Sequence, residues 1–182
     1  DQLYVKQTAD IQWPEGVSYE SIGTTPGYGQ ITEFDGNNLK IDGLMGTNGL
    51  FRYAWDCDMK NIRIVNPKIK ATSTASGRQY GVLVGHMQGF SRRTKIENCQ
   101  VYLSDYGENG KENYSNYQYY GIEANFQYSI VGGLVGVGES IDISNSFSSL
   151  YKLVSGWSGC GGLAGGLSSS TVTRCYASVE QM

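Results

Sequence analysis

Gly132-Gly133-Leu134-Val135-Gly136, followed by Ile143-Ser144-Asn145-Ser146, is the stretch that decides the fold, because the same device recurs. Gly162-Leu163-Ala164-Gly165 precedes Val172-Thr173-Arg174-Cys175 at the same interval, and Gly49-Leu50-Phe51-Arg52 precedes Met59-Lys60-Asn61-Ile62 likewise. Val82-Leu83-Val84-Gly85 precedes Ile96-Glu97-Asn98-Cys99 with extra residues between. A small-residue turn at fixed distance from an Ile-x-Asn-Cys strand, four times over, is the signature of a repeat architecture. One repeat cannot bury its apolar side alone, whereas stacked repeats share a continuous core. The expected fold is therefore all-β, a parallel β-helix (β-solenoid).

Each position of the repeat has a physical reading. Leu50, Leu83, Leu134 and Leu163 are flanked by small residues that let the backbone turn and neighbours approach. Met59, Ile96, Ile143 and Val172 form the next inward rung. Two residues on stand Asn61, Asn98, Asn145 and Arg174. Asparagine tolerates the left-handed conformation, which suits a corner stacked repeat upon repeat. Arg174 breaks that series, so a less regular corner is expected in the last repeat. The row Ile62, Cys99, Ser146 and Cys175 places two cysteines on one ladder, separated by Ser146. Rungs about 4.8 Å apart put their Cα atoms roughly 10 Å from each other, beyond the ~7 Å reach of a disulfide. Buried free thiols are expected; Cys57 and Cys160 fall in other registers.

Outward from the repeats the chain is less regular. Residues 1–45 read as an N-terminal cap and first strands, with Leu3-Tyr4-Val5-Lys6 and Leu39 to Leu44 alternating like strands. Turns are marked at Trp13-Pro14-Glu15-Gly16 and Thr25-Pro26-Gly27. Residues 46–182 read as one continuous series of repeats, interrupted by a polar, tyrosine-rich insertion at residues 104–128. A smaller insertion, His86 to Lys95, carries Arg92 and Arg93. A third irregular stretch, Ser155 to Gly159, holds Trp157. Asp1 begins in strand and Met182 ends inside a repeat, so the chain reads as a fragment whose neighbours would be further coils of a longer protein.

These residues together resemble the GLUG-motif repeat family of secreted and cell-surface bacterial proteins. The resemblance rests on the Gly-Leu-x-Gly turns at 133–136 and 162–165 and on the downstream Ile-x-Asn-Cys or Val-x-x-Cys strand, with Cys175-Tyr176-Ala177 close to the family's usual Cys-Tyr-Ala. Ser21-Ile22-Gly23 and Phe34-Asp35-Gly36-Asn37 through Leu44 are similar to the segment that leads into such repeats. Arg52 and Val82 in place of glycines, Ser146 in place of cysteine, and the insertion depart from it. The resemblance implies a right-handed β-helix on a bacterial surface adhesin or large secreted protein, extracellular or at the cell surface. Some immunoglobulin-cleaving bacterial proteases carry such repeats outside their catalytic domain, and the family supplies no catalytic residues.

Composition excludes several classes. A net charge of −3 with 17 % charged residues leaves no footprint for nucleic acid, and no apolar run approaches the roughly 18 residues of a membrane span. The single histidine, His86, has no serine or aspartate placed beside it and reads as an exposed turn residue rather than a catalytic base. Asp56 and Asp58, or Asp105 with Glu108 and Glu112, offer fewer oxygens than a calcium loop needs, so neither metal nor cofactor is expected. Glu33, Asp35, Asp56 and Asp58 are turn carboxylates by context, which makes a polysaccharide-cleaving enzyme the weaker alternative to a non-catalytic domain. The tyrosines are the sharper signal, since exposed aromatic rings serve sugar and protein recognition. Tyr106, Tyr114, Tyr117, Tyr119, Tyr120 and Trp157 are the candidate ligand-binding residues, with packing of the insertion against the repeats as their other reading. The expected function is adhesion or display toward a host or matrix protein or a surface glycan. A glycan-binding module of a larger enzyme or fibre is the alternative.

Overall fold

A computed structural model describes residues 2–23, 31–72, 78–104, 120–156 and 158–182. The described residues form strands and turns with no helix, and every strand pairing is parallel. The first sheet has six strands in chain order: β1 (Tyr4–Lys6), β3 (Glu33–Asp35), β7 (Asp58–Lys60), β12 (Thr94–Glu97), β17 (Ile141–Ser144) and β21 (Thr171–Thr173). The second is built on the long β18 (Phe147–Ser155). Along one half of that sheet run β2 (Ile11–Gln12), β4 (Lys40–Asp42), β8 (Arg63–Val65) and β13 (Gln100–Tyr102); along the other run β5 (Met45–Gly46), β9 (Lys68–Lys70) and β14 (Gly121–Ala124). Strand β22 (Tyr176–Gln181) covers the far side of β18. A third sheet stacks β6 (Phe51–Trp55), β11 (Val84–Gln88), β16 (Val135–Glu139) and β20 (Ala164–Ser168). A fourth stacks β10 (Gln79–Gly81), β15 (Ile130–Gly132) and β19 (Gly159–Gly161).

The order of visits is regular. The chain passes through the fourth, third, first and second sheets as β15, β16, β17 and β18, then repeats that order as β19 to β22. Parallel neighbours require such a crossover, because a tight hairpin can join only antiparallel strands. The register follows the sequence repeat: Met59 pairs with Ile96, Ile96 with Ile143, and Ile143 with Val172. The first sheet also continues into residues 1–45, with Phe34 beside Met59 and Val5 beside Phe34. The strands of the N-terminal segment thus lie in the same sheets as the repeats and add two rungs that carry no Gly-Leu-x-Gly signal.

The inward rows form the core. Leu83, Leu134, Met59 and Ile96 are fully enclosed, and Leu50 and Ile143 nearly so. Burying each such side chain contributes roughly 1.5–3 kcal/mol. The fourth position of the motif shows why glycine recurs there. A Cβ on Gly136 would run into the Gly85 carbonyl and the Tyr80 amide, because the fourth sheet packs directly against this turn. In the first motif the fourth sheet has no strand, and Arg52 occupies the position with its guanidinium over the Tyr53 ring. Ser146, where cysteine was expected, is 1 % exposed; its hydroxyl donates to the Ser144 carbonyl and accepts from the Cys99 amide, so the polar atom is satisfied inside the core. Cys57, Cys99, Cys160 and Cys175 are free thiols; Cys57 and Cys99 are buried, whereas Cys160 and Cys175 are only partly covered, against the expectation that the Cys175 thiol is buried.

Three expectations are corrected. Arg174 does not disturb the corner. It has φ 52°, beside 55°, 54° and 50° at Asn61, Asn98 and Asn145, and its Nε donates to Asn145 Oδ1 at 2.6 Å. The arginine replaces the amide donor that Asn98 supplies to Asn61 two rows earlier, at 2.9 Å. His86 is not an exposed turn residue but lies within β11, in register with Tyr53 and Val137 and 3.5 Å from Glu139. The insertion is also shorter than 104–128: Gly121–Ala124 is strand β14, paired on both sides, with Ile122 and Ala124 fully buried. Strand β18 runs unbroken opposite both β13 and β14, so the extra residues interrupt one edge of a rung while the rung resumes beyond them.

Candidate functional site

Of the candidate ligand-binding residues, Tyr106, Tyr114, Tyr117, Tyr119 and Trp157 lie outside the described residues. Tyr120 is described. Its half-buried ring packs against the core, and Lys68 Nζ sits over it at 4.7 Å from the ring centroid, a cation–π contact. Lys68 in turn lines a groove of about 300 Å³ with Met45, Lys70, Gly121, Glu123 and Lys152, while the Ile69 and Ile122 side chains point away from it into the core.

The groove follows from strand register. Gly121 pairs with Lys68 on one side and with Lys152 on the other. The central rung of this outward row therefore has no side chain, while the rungs flanking it each carry a lysine. Gly121 has φ +140°, and a Cβ there would collide with the Lys152 carbonyl, so the gap between the lysines is imposed by the backbone. Lys152 Nζ donates to Glu123 Oε2 at 3.1 Å, and both side chains remain partly exposed. Lys68 is held by Tyr120 and Lys152 by Glu123, with Lys70 exposed on the adjoining row. Three ammonium groups against one carboxylate give the groove a net positive character in a chain of net charge −3. Linear spacing gave no sign of this site, because its three rungs come from segments far apart in sequence.

Of the carboxylates considered for cation binding or hydrolysis, Asp105, Glu108 and Glu112 lie outside the described residues; the others have partners, and Glu33, Asp35 and Asp58 stand in strands rather than in turns. Asp56 accepts the Phe90 amide at 2.7 Å, and the Ser91 amide and hydroxyl at 3.0 and 2.6 Å. Desolvation raises its pKa, but the Ser91 hydroxyl and the loop amides outweigh it and leave the group below the ordinary carboxylate value. Asp58 takes two hydrogen bonds from Arg92 Nη1, both at 2.9 Å, and the Lys95 amide at 2.8 Å. Arg93 spans the other way, to Asp142 at 2.6 Å and to the Ser169 carbonyl at 2.8 Å. The Arg93 bond, with that from Thr171, lowers the Asp142 pKa. Glu33 pairs with Lys60 at 2.9 Å, and Asp35 accepts the Asn61 side-chain amide at 3.0 Å. These acids fasten residues 89–93 and the corners to neighbouring rungs. Among the described residues, no group of three or more His, Cys, Asp or Glu side chains is placed to hold a metal ion. Burial pushes the Cys57 and Cys99 thiols up to about 12, which keeps both protonated and unreactive at neutral pH.

No family model matches the chain, and neither a curated protein nor a solved structure matches it.

Proposed function

We propose that the parallel sheets are the faces of one right-handed β-solenoid, and that this solenoid is a non-catalytic, adhesin-like display domain of a bacterial cell-surface or secreted protein. The fixed order in which the chain revisits its four sheets supports the solenoid, and the Gly-Leu-x-Gly and Ile-x-Asn-Cys pattern supports its likeness to GLUG repeats. Each rung is locked to its neighbours by backbone hydrogen bonds and a shared core, so the outer face is a stiff support for recognition. The observation that carries the functional reading is the groove between Lys68 and Lys152, whose Lys68 lies over the ring of Tyr120 at the end of the tyrosine-rich insertion. Loops and clefts held on a rigid scaffold are where binding residues concentrate. The partner is a host or matrix protein or a surface glycan. The glycan reading has its own support in an aromatic ring set beside cationic donors.

The test compares the parent chain with a version lacking residues 105–119 on immobilised matrix proteins and a broad glycan array, with circular dichroism confirming that both fold. Binding by the parent but not by the deletion is the expected result. Binding by neither would reduce the domain to a spacer.

A further inference from the structure

We infer that the groove across β9, β14 and β18 binds an acidic polysaccharide, a chain bearing carboxylate or sulfate groups on its sugars. The inference rests on the display reading above and assigns its ligand class. Lys68 and Lys152 stand one rung to either side of Gly121, so their Cα atoms are about 10 Å apart at the usual rung spacing. An extended disaccharide spans that distance, which would let successive acidic groups of a polymer meet successive lysines. Between them the outward row carries no side chain at Gly121, which leaves room for a sugar unit between the two ammonium groups. The apolar part of that ring meets the aliphatic stems of Met45, Lys68 and Lys152. Tyr120 holds the Lys68 ammonium at the rim and Glu123 holds that of Lys152; held donors lose less freedom on binding than free ones.

Three alternatives fit less well. A nucleic acid would need a longer track of cations, since its affinity comes from neutralising many phosphates, and Glu123 sits within the groove. A small free anion would not use the length of the groove. An acidic peptide shares the charge but finds no free sheet edge to pair with, because β14 is already paired on both sides.

The experiment is titration calorimetry of the whole chain with size-defined oligogalacturonate, a sulfated heparin-type oligosaccharide, a neutral oligosaccharide of the same length, and polyglutamate. Lys68→Gln/Lys152→Gln is compared with Lys95→Gln, an exposed lysine on the first sheet that serves as the charge control. Binding of at least one acidic oligosaccharide, weakened by salt and about tenfold or more in the double variant, is expected for the loss of two charge-assisted contacts. The control should change less than about twofold. The two acidic sugars distinguish carboxylate from sulfate recognition.

Equal weakening by the control, an unaffected double variant, no binding of either acidic sugar, or equally tight binding of polyglutamate would each overturn the inference. Should the glutamine variant lose its cooperative melt, Lys68→Arg/Lys152→Arg keeps the charges, and retained affinity is then the required result. Binding of a matrix protein or neutral glycan by a parent chain that ignores both acidic sugars would defeat this inference and leave the display reading standing.

Discussion

The repeat that begins at Gly133 and the one that begins at Gly162 share the Gly-Leu-x-Gly turn and the same backbone path, yet they differ in burial. Leu134 is fully enclosed, while Leu163 in the matching place is only partly covered. Ile143 is 1 % exposed and its in-register partner Val172 is 47 % exposed. Both repeats make the same turns, since Asn145 and Arg174 share the left-handed corner at 50° and 52°. Local conformation is therefore written within each repeat, and burial is supplied by the rung that lies on top. In a stack of this kind stability is a property of neighbours rather than of single motifs.

The largest effect expected from that difference is at its buried pole. Leu134→Ala should cost about 2–5 kcal/mol in urea unfolding, by lost transfer energy plus a cavity that rungs on both sides cannot collapse into. A loss below about 1 kcal/mol would break the comparison. Next comes the corner: Asn98→Ala removes the amide bonded to Asn61 and places a less tolerant residue at φ 54°, for an expected loss of about 1–2 kcal/mol. Arg174→Ala exchanges one non-asparagine residue for another at an exposed corner and should cost less than about 0.5 kcal/mol. Leu163→Ala, at the matching place of the uncovered rung, should cost about 1 kcal/mol or less because little area returns to water.

Acid sharpens the comparison by a different route, because Asp142 ties the two rungs together through Arg93 and Thr171. Asp35, Asp56 and Asp142 have folded pKa values below the ordinary aspartate value. Their stabilisation is fully present above the unfolded pKa and is lost as pH falls through the folded values. The melting temperature should be flat from neutral pH to about pH 5 and should drop below about pH 4. Asp142→Asn should flatten part of that drop, and an unchanged acid limb would remove Asp142 from the account. The smallest effect belongs to Val172→Thr, which should leave the melting temperature within error, as befits a half-exposed side chain.

Much of the architecture was legible because it is periodic. Leu50, Leu83 and Leu134, with Met59, Ile96 and Ile143, announced inward rows, and Asn61, Asn98 and Asn145 announced corners, through residue types whose chemistry demands those places. Arg174 misled because side-chain identity was taken for backbone preference. The corner is enforced by pairing on both sides of it, and a long side chain can reach back to Asn145 as an amide does. Strand β14 was hidden because Gly121-Ile122-Glu123-Ala124 is too short to show alternation and follows a polar, tyrosine-rich run. The groove was hidden for a deeper reason. Lys68, Gly121 and Lys152 meet only when register is known, and register across an interrupted rung is fixed by hydrogen bonds rather than by spacing. Asp56 sits in a turn as its context suggests, but Asp58 opens strand β7, and the bonds of both to Ser91 and Arg92 depend on the same cross-rung pairing.

The interruption between Val101 and Gly121 has a practical side. Strand β18 lies unbroken along both halves of the gap, and each half is already anchored by an earlier strand, β8 or β9. A cargo peptide spliced between these halves would be tethered at both ends to a base that does not depend on the cargo for its shape. The domain is in this respect a ready-made grafting platform, on which an epitope or an enzyme-reactive tag could be exchanged without redesigning the support beneath it.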